Sequence, residues 1–199
     1  MSGLRRFVGP APTPAPRPVE EERSVEEERC EMCGAVAGPV HGHVVDTENR
    51  ALQCVCRPCY LLFAHDSGRF RAVPVRYLTG TRLASAEWES LGIPVGSAFF
   101  LRGEHGTSAF YPSPAGATEC LLNLDAWTSL ATTHPLLAAA TPEVEAILVR
   151  DGEVFLVPVD ACYELVGLVR THWKGFDGGT EAHELIDEFF AAIRAKADS

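Results

Sequence analysis

No apolar run in this 199-residue chain approaches the ~20 residues needed to cross a bilayer; the longest candidates are cut by Gly, Pro or charge, as at Leu165 to Val169. No membrane insertion is expected. Export is not expected either: the Arg5-Arg6 pair is followed by Pro10-Ala11-Pro12-Thr13-Pro14-Ala15-Pro16 in place of an apolar stretch. The seven cysteines are an odd number, and five lie at metal-ligand spacing, which fits a reducing cytoplasm better than a disulfide framework. Cytoplasmic location is the expectation. Basic charge is scarce where the chain is longest: residues 84–199 carry 6 basic and 17 acidic side chains, a net −11 against −10 for the whole chain. Such a body repels phosphate backbones, so nucleic acid is not an expected partner.

Familiar catalytic patterns are also wanting. The Gly-rich stretch Lys174 to Gly179 has no Walker Lys-Ser/Thr and follows a helical pattern rather than a strand, so it reads as a connector between helices. His183, Glu184 and Asp187 have neither the order nor the spacing of HExxH. Cys120 has no His or acid partner that the sequence identifies, and Cys162 shares an apolar helical face with Leu165, Val166 and Val169, where it reads as core.

What the chain does have is the stretch Cys30-Glu31-Met32-Cys33-Gly34, about twenty residues, then Cys54-Val55-Cys56-Arg57-Pro58-Cys59. Two Cys-x-x-Cys pairs at this separation are the arithmetic of a four-thiolate metal site. Between them, residues 40–46 and 51–56 read as two strands around the polar turn Thr47 to Arg50. Pro58 sits where a first helical turn accepts proline, and an apolar helix through His65 follows. A Cys knuckle, a hairpin and two ligands at a helix start resemble the treble-clef zinc modules. The ligand set is Cys30, Cys33, Cys56 and Cys59, with zinc as the default metal, iron as the alternative and a [2Fe–2S] cluster third. With the turn centred on Glu48-Asn49, His43 falls opposite Cys54 and His41 opposite Cys56 on one face, so Cys54, His41 and His43 are candidate second-sphere or alternative ligands bordering that metal. The same stretch also resembles the HNH nucleases. It departs from them at Tyr60-Leu61-Leu62-Phe63, where that family places a polar or His ligand, and in its short loop, leaving His65 as the one histidine available on the helix.

The fold expected is α+β in three parts: a Pro/Glu-rich disordered tail (1–24), the four-cysteine module (25–68) and an acidic α+β domain (69–199) with a short-stranded antiparallel sheet covered by helices. Its hydrophobic content of 46% is enough to bury a core. Helices are expected at 85–91 with Ser85 as N-cap, at 121–133, at 161–173 capped by Asp160, and at 182–195; Asp151-Gly152 signals a hairpin between strands 144–150 and 153–159. Arg69, Arg71, Arg76 and Arg82 meet no acid between Ser67 and Ala86; they are expected to dock either an acidic partner or the chain's own acidic body, the second at lower cost. Residues 109–119 carry two Pro and one Gly without regular period and read as a loop, whose Tyr111, Ser113 and Glu119 are candidates for a partner-binding surface.

Four longer motifs add a resemblance. Ile93-Pro94-Val95-Gly96, the run Ala109 to Glu119, Val157-Pro158-Val159-Asp160-x-Cys162-Tyr163-x-Leu165-Val166-Gly167-Leu168 and Trp173-x-Gly175, together with the cysteine pattern, resemble an uncharacterised bacterial family encoded in gene clusters of oxygen-tolerant nickel-iron hydrogenases. The resemblance covers roughly residues 30–192. It implies a context rather than an activity: an accessory of hydrogenase biogenesis, whether maturation factor, metal or cluster handler, or adaptor, with a hydrogenase subunit or maturation factor as partner.

Overall fold

The computed structural model describes residues 28–64, 68–104 and 106–199. The expected tail, the first three residues of the module and His65 lie outside them. In chain order the elements are β1 (Gly42–Asp46), β2 (Ala51–Val55), α1 (Arg57–Leu62), β3 (Phe70–Ala72), β4 (Leu78–Thr79), α2 (Ser85–Ser90), β5 (Ser97–Gly103), β6 (Gly106–Ser113), β7 (Gly116–Cys120), α3 (Leu124–Thr133), α4 (Leu136–Ala139), β8 (Glu145–Arg150), β9 (Glu153–Pro158), α5 (Val159–His172) and α6 (Gly179–Ala197). They form two antiparallel sheets, a small one in the order β2-β1-β3 and a six-stranded one in the order β4-β9-β8-β5-β6-β7. The chain is therefore α+β, as its pattern implied.

The large sheet is buried on both faces, and strand alternation assigns each residue to a side. Phe99, Ala146, Leu148, Phe155 and Val157 point toward Cys162, Leu165, Phe190 and Ile193 of α5 and α6. Their neighbours Phe100, Ile147, Val149, Val154 and Leu156 point the other way, toward Leu91, Trp127, Leu130 and Leu137 of the shorter helical segments. Covering both faces is why Ala146 to Val149 and Val154 to Val157 are unbroken apolar runs rather than alternating ones. The turn joining β8 and β9 is Asp151-Gly152, with φ of 48° and 82°, the pair of positive values that a two-residue hairpin requires.

The reading of residues 109–119 as a loop is corrected. They belong to the β6–β7 hairpin, paired from Ala109↔Cys120 to Ser113↔Gly116. Pro112 is tolerated because β6 pairs with β5 only through Phe110, so beyond that point the strand has a free side where no N–H is needed. Two caps also differ. Ala84, not Ser85, holds the N-cap position of α2, where its N–H donates to the Glu87 carboxylate at 2.7 Å. Asp160 lies inside the first turn of α5 behind Pro158, and caps nothing.

The small sheet leans on the body through a shared cluster of Val45, Val73, Val144 and Val159. The arginines of residues 69–82 do turn inward. Arg69 makes a two-pronged contact with the buried Asp46 at 3.0 and 2.6 Å, and its hydrogen bonds hold the Asp46 carboxyl down at about 2. Arg76 does the same to Glu145 at 2.8 and 2.6 Å, while Arg71 bonds the Pro142 carbonyl and Arg82 the Asp151 carbonyl. Arg71, Arg76 and Arg82 thus reach the body, while the partner of Arg69 belongs to the cysteine module itself.

One glycine of the small sheet is obligatory. A Cβ at Gly42 would overlap the Tyr60 ring, whose hydroxyl donates to the Val73 carbonyl at 3.0 Å and so ties α1 to the chain just after β3. Gly42→Ala is expected to lower the stability of this region by about 1–3 kcal/mol through overpacking, read as a fall in hydrogen-exchange protection of β1 and α1.

Candidate metal centre

The first knuckle forms because the chain reverses within five residues. Gly34 takes φ of +74°, its N–H donates to the Cys30 carbonyl at 2.8 Å, and the Cys30 N–H donates to the Ala35 carbonyl at 2.8 Å. The second pair sits where β2 gives way to α1: Cys56 is the N-cap residue, Pro58 falls in the first turn, and the Tyr60 N–H returns to the Cys56 carbonyl at 2.9 Å. Glu31 binds the two halves together. Its N–H donates to the Cys54 carbonyl at 2.9 Å and its carboxylate accepts from the Cys54 N–H at 2.5 Å, closing the outer edge of β2.

This folding brings Cys30, Cys33, Cys56 and Cys59 together with all four sulfurs within 4.8 Å of one another, and the Cys33 and Cys56 sulfurs 3.7 Å apart. A metal–sulfur bond of ~2.3 Å in a tetrahedron gives edges of ~3.8 Å, so a single ion fits the set. Cys30, Cys56 and Cys59 are buried with Val44 and Val55, and Cys33 alone is exposed. The electrostatics favour a cation. Burial pushes the Cys30 thiol up, but N–H groups of Cys56, Cys33 and Met32 aimed at its sulfur outweigh that and bring it to about 6. Cys59, facing the sulfur of Cys33 and buried against Cys56 and Cys30, is pushed up to about 12. Four thiolates at these distances repel, and a divalent ion removes the conflict.

Cys54, His41 and His43 also come together, with ligand atoms within 4.8 Å of one another, but not around the same centre. The expected pairing of His43 with Cys54 is present; that of His41 with Cys56 is not, because β1 starts at Gly42 and the chain turns into a helix at Cys56. Alternation then separates the two groups: Val44 and Val55 face the four-cysteine core, while His43 and Cys54 lie on the opposite side of the hairpin, with Val45 and Leu52. There Asp160 accepts from His43 Nδ1 at 2.8 Å across 117 residues of sequence. Nothing in the sequence marked Asp160 or Glu31 for these tasks; Asp160 stands where a helix cap would.

The candidates Tyr111, Ser113 and Glu119 do not converge. The Ser113 hydroxyl serves its own turn, bonding the Gly116 carbonyl and Thr118 hydroxyl at 2.9 Å. Tyr111 packs against the core on one face of the sheet, whereas Glu119 pairs with Phe110 on the other, beside a cavity of about 500 Å³ also lined by Leu52, Leu101, Tyr163 and Arg170. Cys162 borders that cavity, and burial drives its thiol far upward, the setting of a structural core cysteine. Cys120 donates to the Ala109 carbonyl at 3.5 Å and is likewise pushed up by burial. Among the described residues no helix is long and apolar enough to cross a membrane.

No curated protein and no solved structure matches the chain. A family model does, over residues 29–197, from the residue before the first knuckle to the last turn of α6. The chain belongs to that family, DUF5947, a family of unknown function.

Proposed function

We propose that this protein is a non-enzymatic accessory of nickel-iron hydrogenase biogenesis or assembly, acting through protein contacts from a module that a zinc ion holds together. The observation that carries the metal part of this reading is the closed set of four thiolates, three of them buried at the centre of the module's own core. Such a set leaves no ligand position for a substrate, which is the arrangement of a structural ion, and zinc suits a four-sulfur tetrahedron. Bound there, the ion supplies the positive charge that four crowded thiolates need. Cys30 and Cys33 fasten the knuckle to it, and Cys56 and Cys59 fasten α1.

The hydrogenase context comes from the motif resemblance. The contact surface has a physical candidate in Leu61 and Leu62, which end α1 at 52% and 72% exposure, beside an otherwise buried module core. Affinity purification of the tagged protein from a hydrogen-oxidising host is expected to recover a hydrogenase subunit or maturation factor. Leu61→Ser with Leu62→Ser is expected to reduce that recovery at unchanged metal content. A deletion strain whose hydrogenase is fully active and correctly assembled contradicts the proposal.

A further inference from the structure

The four-cysteine centre leaves a second set of ligating side chains unused. His41 and His43 stand two residues apart, their rings 5.4 Å apart edge to face, with Cys54 opposite His43 on the paired strand. We propose that His41, His43 and Cys54 form a second metal site, open to solvent, that takes a borderline-soft divalent cation of the zinc class and keeps at least one coordination position for an outside ligand.

The strongest support is the state in which the imidazoles are held. His41 Nδ1 lies 3.1 Å from the Gly38 carbonyl oxygen, which can only accept, so Nδ1 is the donor there. His43 Nδ1 lies 2.8 Å from the Asp160 carboxylate, which makes the same assignment. Both rings are thus oriented through Nδ1, which leaves Nε2 as the nitrogen for a metal, on His41 facing the Glu28 carboxylate 3.7 Å away. A metal-bound histidine has this outer arrangement, its other N–H given to a carbonyl or a carboxylate, which orients the ring and raises its basicity. One such histidine is commonplace in a protein; two of them converging on a thiol is a donor set.

The dimensions agree. Bonds of ~2.0–2.1 Å to imidazole and ~2.3 Å to thiolate place neighbouring donors ~3.3–3.6 Å apart, and one nitrogen of each ring and the Cys54 sulfur already lie within 4.8 Å of one another, so side-chain rotations close the site. The histidine side chains are a quarter exposed, 25% and 27%, in contrast to the buried Cys30, Cys56 and Cys59. The Glu28 carboxylate stands 3.7 Å from His41 Nε2 and adds negative charge on the approach. Two nitrogens and one sulfur suit zinc and its neighbours rather than calcium or magnesium, and three protein ligands with an open place are the pattern of exchangeable or reactive sites rather than structural ones. Because Asp160 belongs to α5, filling this site also strengthens the hold of the small sheet on the body.

This inference goes beyond the hydrogenase reading and is tested apart from it, with cobalt(II) as the probe on the full chain carrying its purified complement of metal. The wild type is expected to bind one further equivalent with sulfur-to-cobalt absorption in the near ultraviolet. His43→Ala and Cys54→Ser are each expected to lose that equivalent while keeping the metal of the four cysteines. His41→Gln, at a similarly exposed position outside the paired strands, serves where either of them folds poorly. Asp160→Asn is expected to weaken the second equivalent ten- to a hundredfold without abolishing it. A wild type that takes up no second equivalent, or variants that bind it as the wild type does, overturns the second site and leaves the four-cysteine centre and the accessory reading where they were.

Discussion

Cys59→Ser unfolds the small module and leaves the body folded. The expectation follows from how little else holds residues 28–73 together. Apart from the cysteines, the fully buried members of the module's core are Val44 and Val55, with Met32, Tyr60, Phe63 and Phe70 half-buried around them. A unit of this size has too small a core to supply more than a few kcal/mol, and a metal or crosslink is the usual remedy. Structural zinc in small modules contributes apparent binding free energies of about 10–16 kcal/mol at neutral pH, so losing one of four ligands removes far more than the module's remaining contacts supply. The body has its own two-sided core, built on Phe100, Ile147 and Leu156 on one face and on Leu148, Phe155 and Phe190 on the other, and depends on no cysteine ligand. Hydrogen exchange is the measurement. Amides of β1, β2 and α1 are expected to lose protection in the variant, and equally in the wild type under a strong chelator, while those of β8, β9 and α5 keep it. Unchanged protection of β1 and α1 in Cys59→Ser contradicts the structural role of the ion.

Arg76→Ala is the second large effect, and it falls on the body. Glu145 is fully buried, and apart from the N–H and side chain of Thr141 its carboxylate is satisfied by the Arg76 guanidinium, at 2.8 and 2.6 Å. Burial pushes the Glu145 carboxyl up; the Arg76 hydrogen bonds and charge, with the N–H and side chain of Thr141, outweigh it and hold it below the usual carboxylate range. Removing one partner of a buried pair costs about 3–5 kcal/mol because the other charge is left unpaired. In a chain of this size about 3 kcal/mol lowers Tm by roughly 6–12 °C. The pH dependence has a definite sign. In the wild type Glu145 titrates below its unfolded value, so its contribution is present above that value, near 4.3–4.5, and is lost as pH falls below it. With Arg76 gone, burial dominates and the folded value rises above the unfolded one, so the penalty is largest at neutral pH and shrinks on acidification. Thermal unfolding at pH 7 and pH 4.5 checks both points. Replacing both residues by Met is expected to recover much of the loss, since an apolar pair of similar volume leaves no buried charge.

The metal centre was legible because its information is local. Cys30 and Cys33 close a single turn, Cys56 and Cys59 span a helix start, and the hairpin between them is marked by a polar turn, so spacing alone brings the four sulfurs to one place. The helices and the β8–β9 hairpin were legible for the same reason: apolar period and an Asp-Gly turn are readable within a dozen residues. The errors came where a local rule was carried past the end of an element or where the partner was remote. Period-two alternation was extended from Cys54 to Cys56, but the strand stops at Val55, and so a separate group of two imidazoles and a thiol was assigned to the wrong centre. Pro112 and Pro114 suggested a loop at residues 109–119, although one lies beyond the pairing with β5 and the other in the turn. Asp160 looked like a cap because nothing nearby names His43, and Arg76 had no visible acid because Glu145 is 69 residues away.

The central claim is that the four cysteines hold a structural zinc ion around which the module folds. Metal analysis with a visible spectrum, on protein made in cells supplied with both iron and zinc, tests it most directly. The account predicts a colourless protein whose four-cysteine site retains zinc through dialysis. A coloured protein containing iron, with the strong visible absorption of ferric thiolate, contradicts it and turns the site into a redox centre.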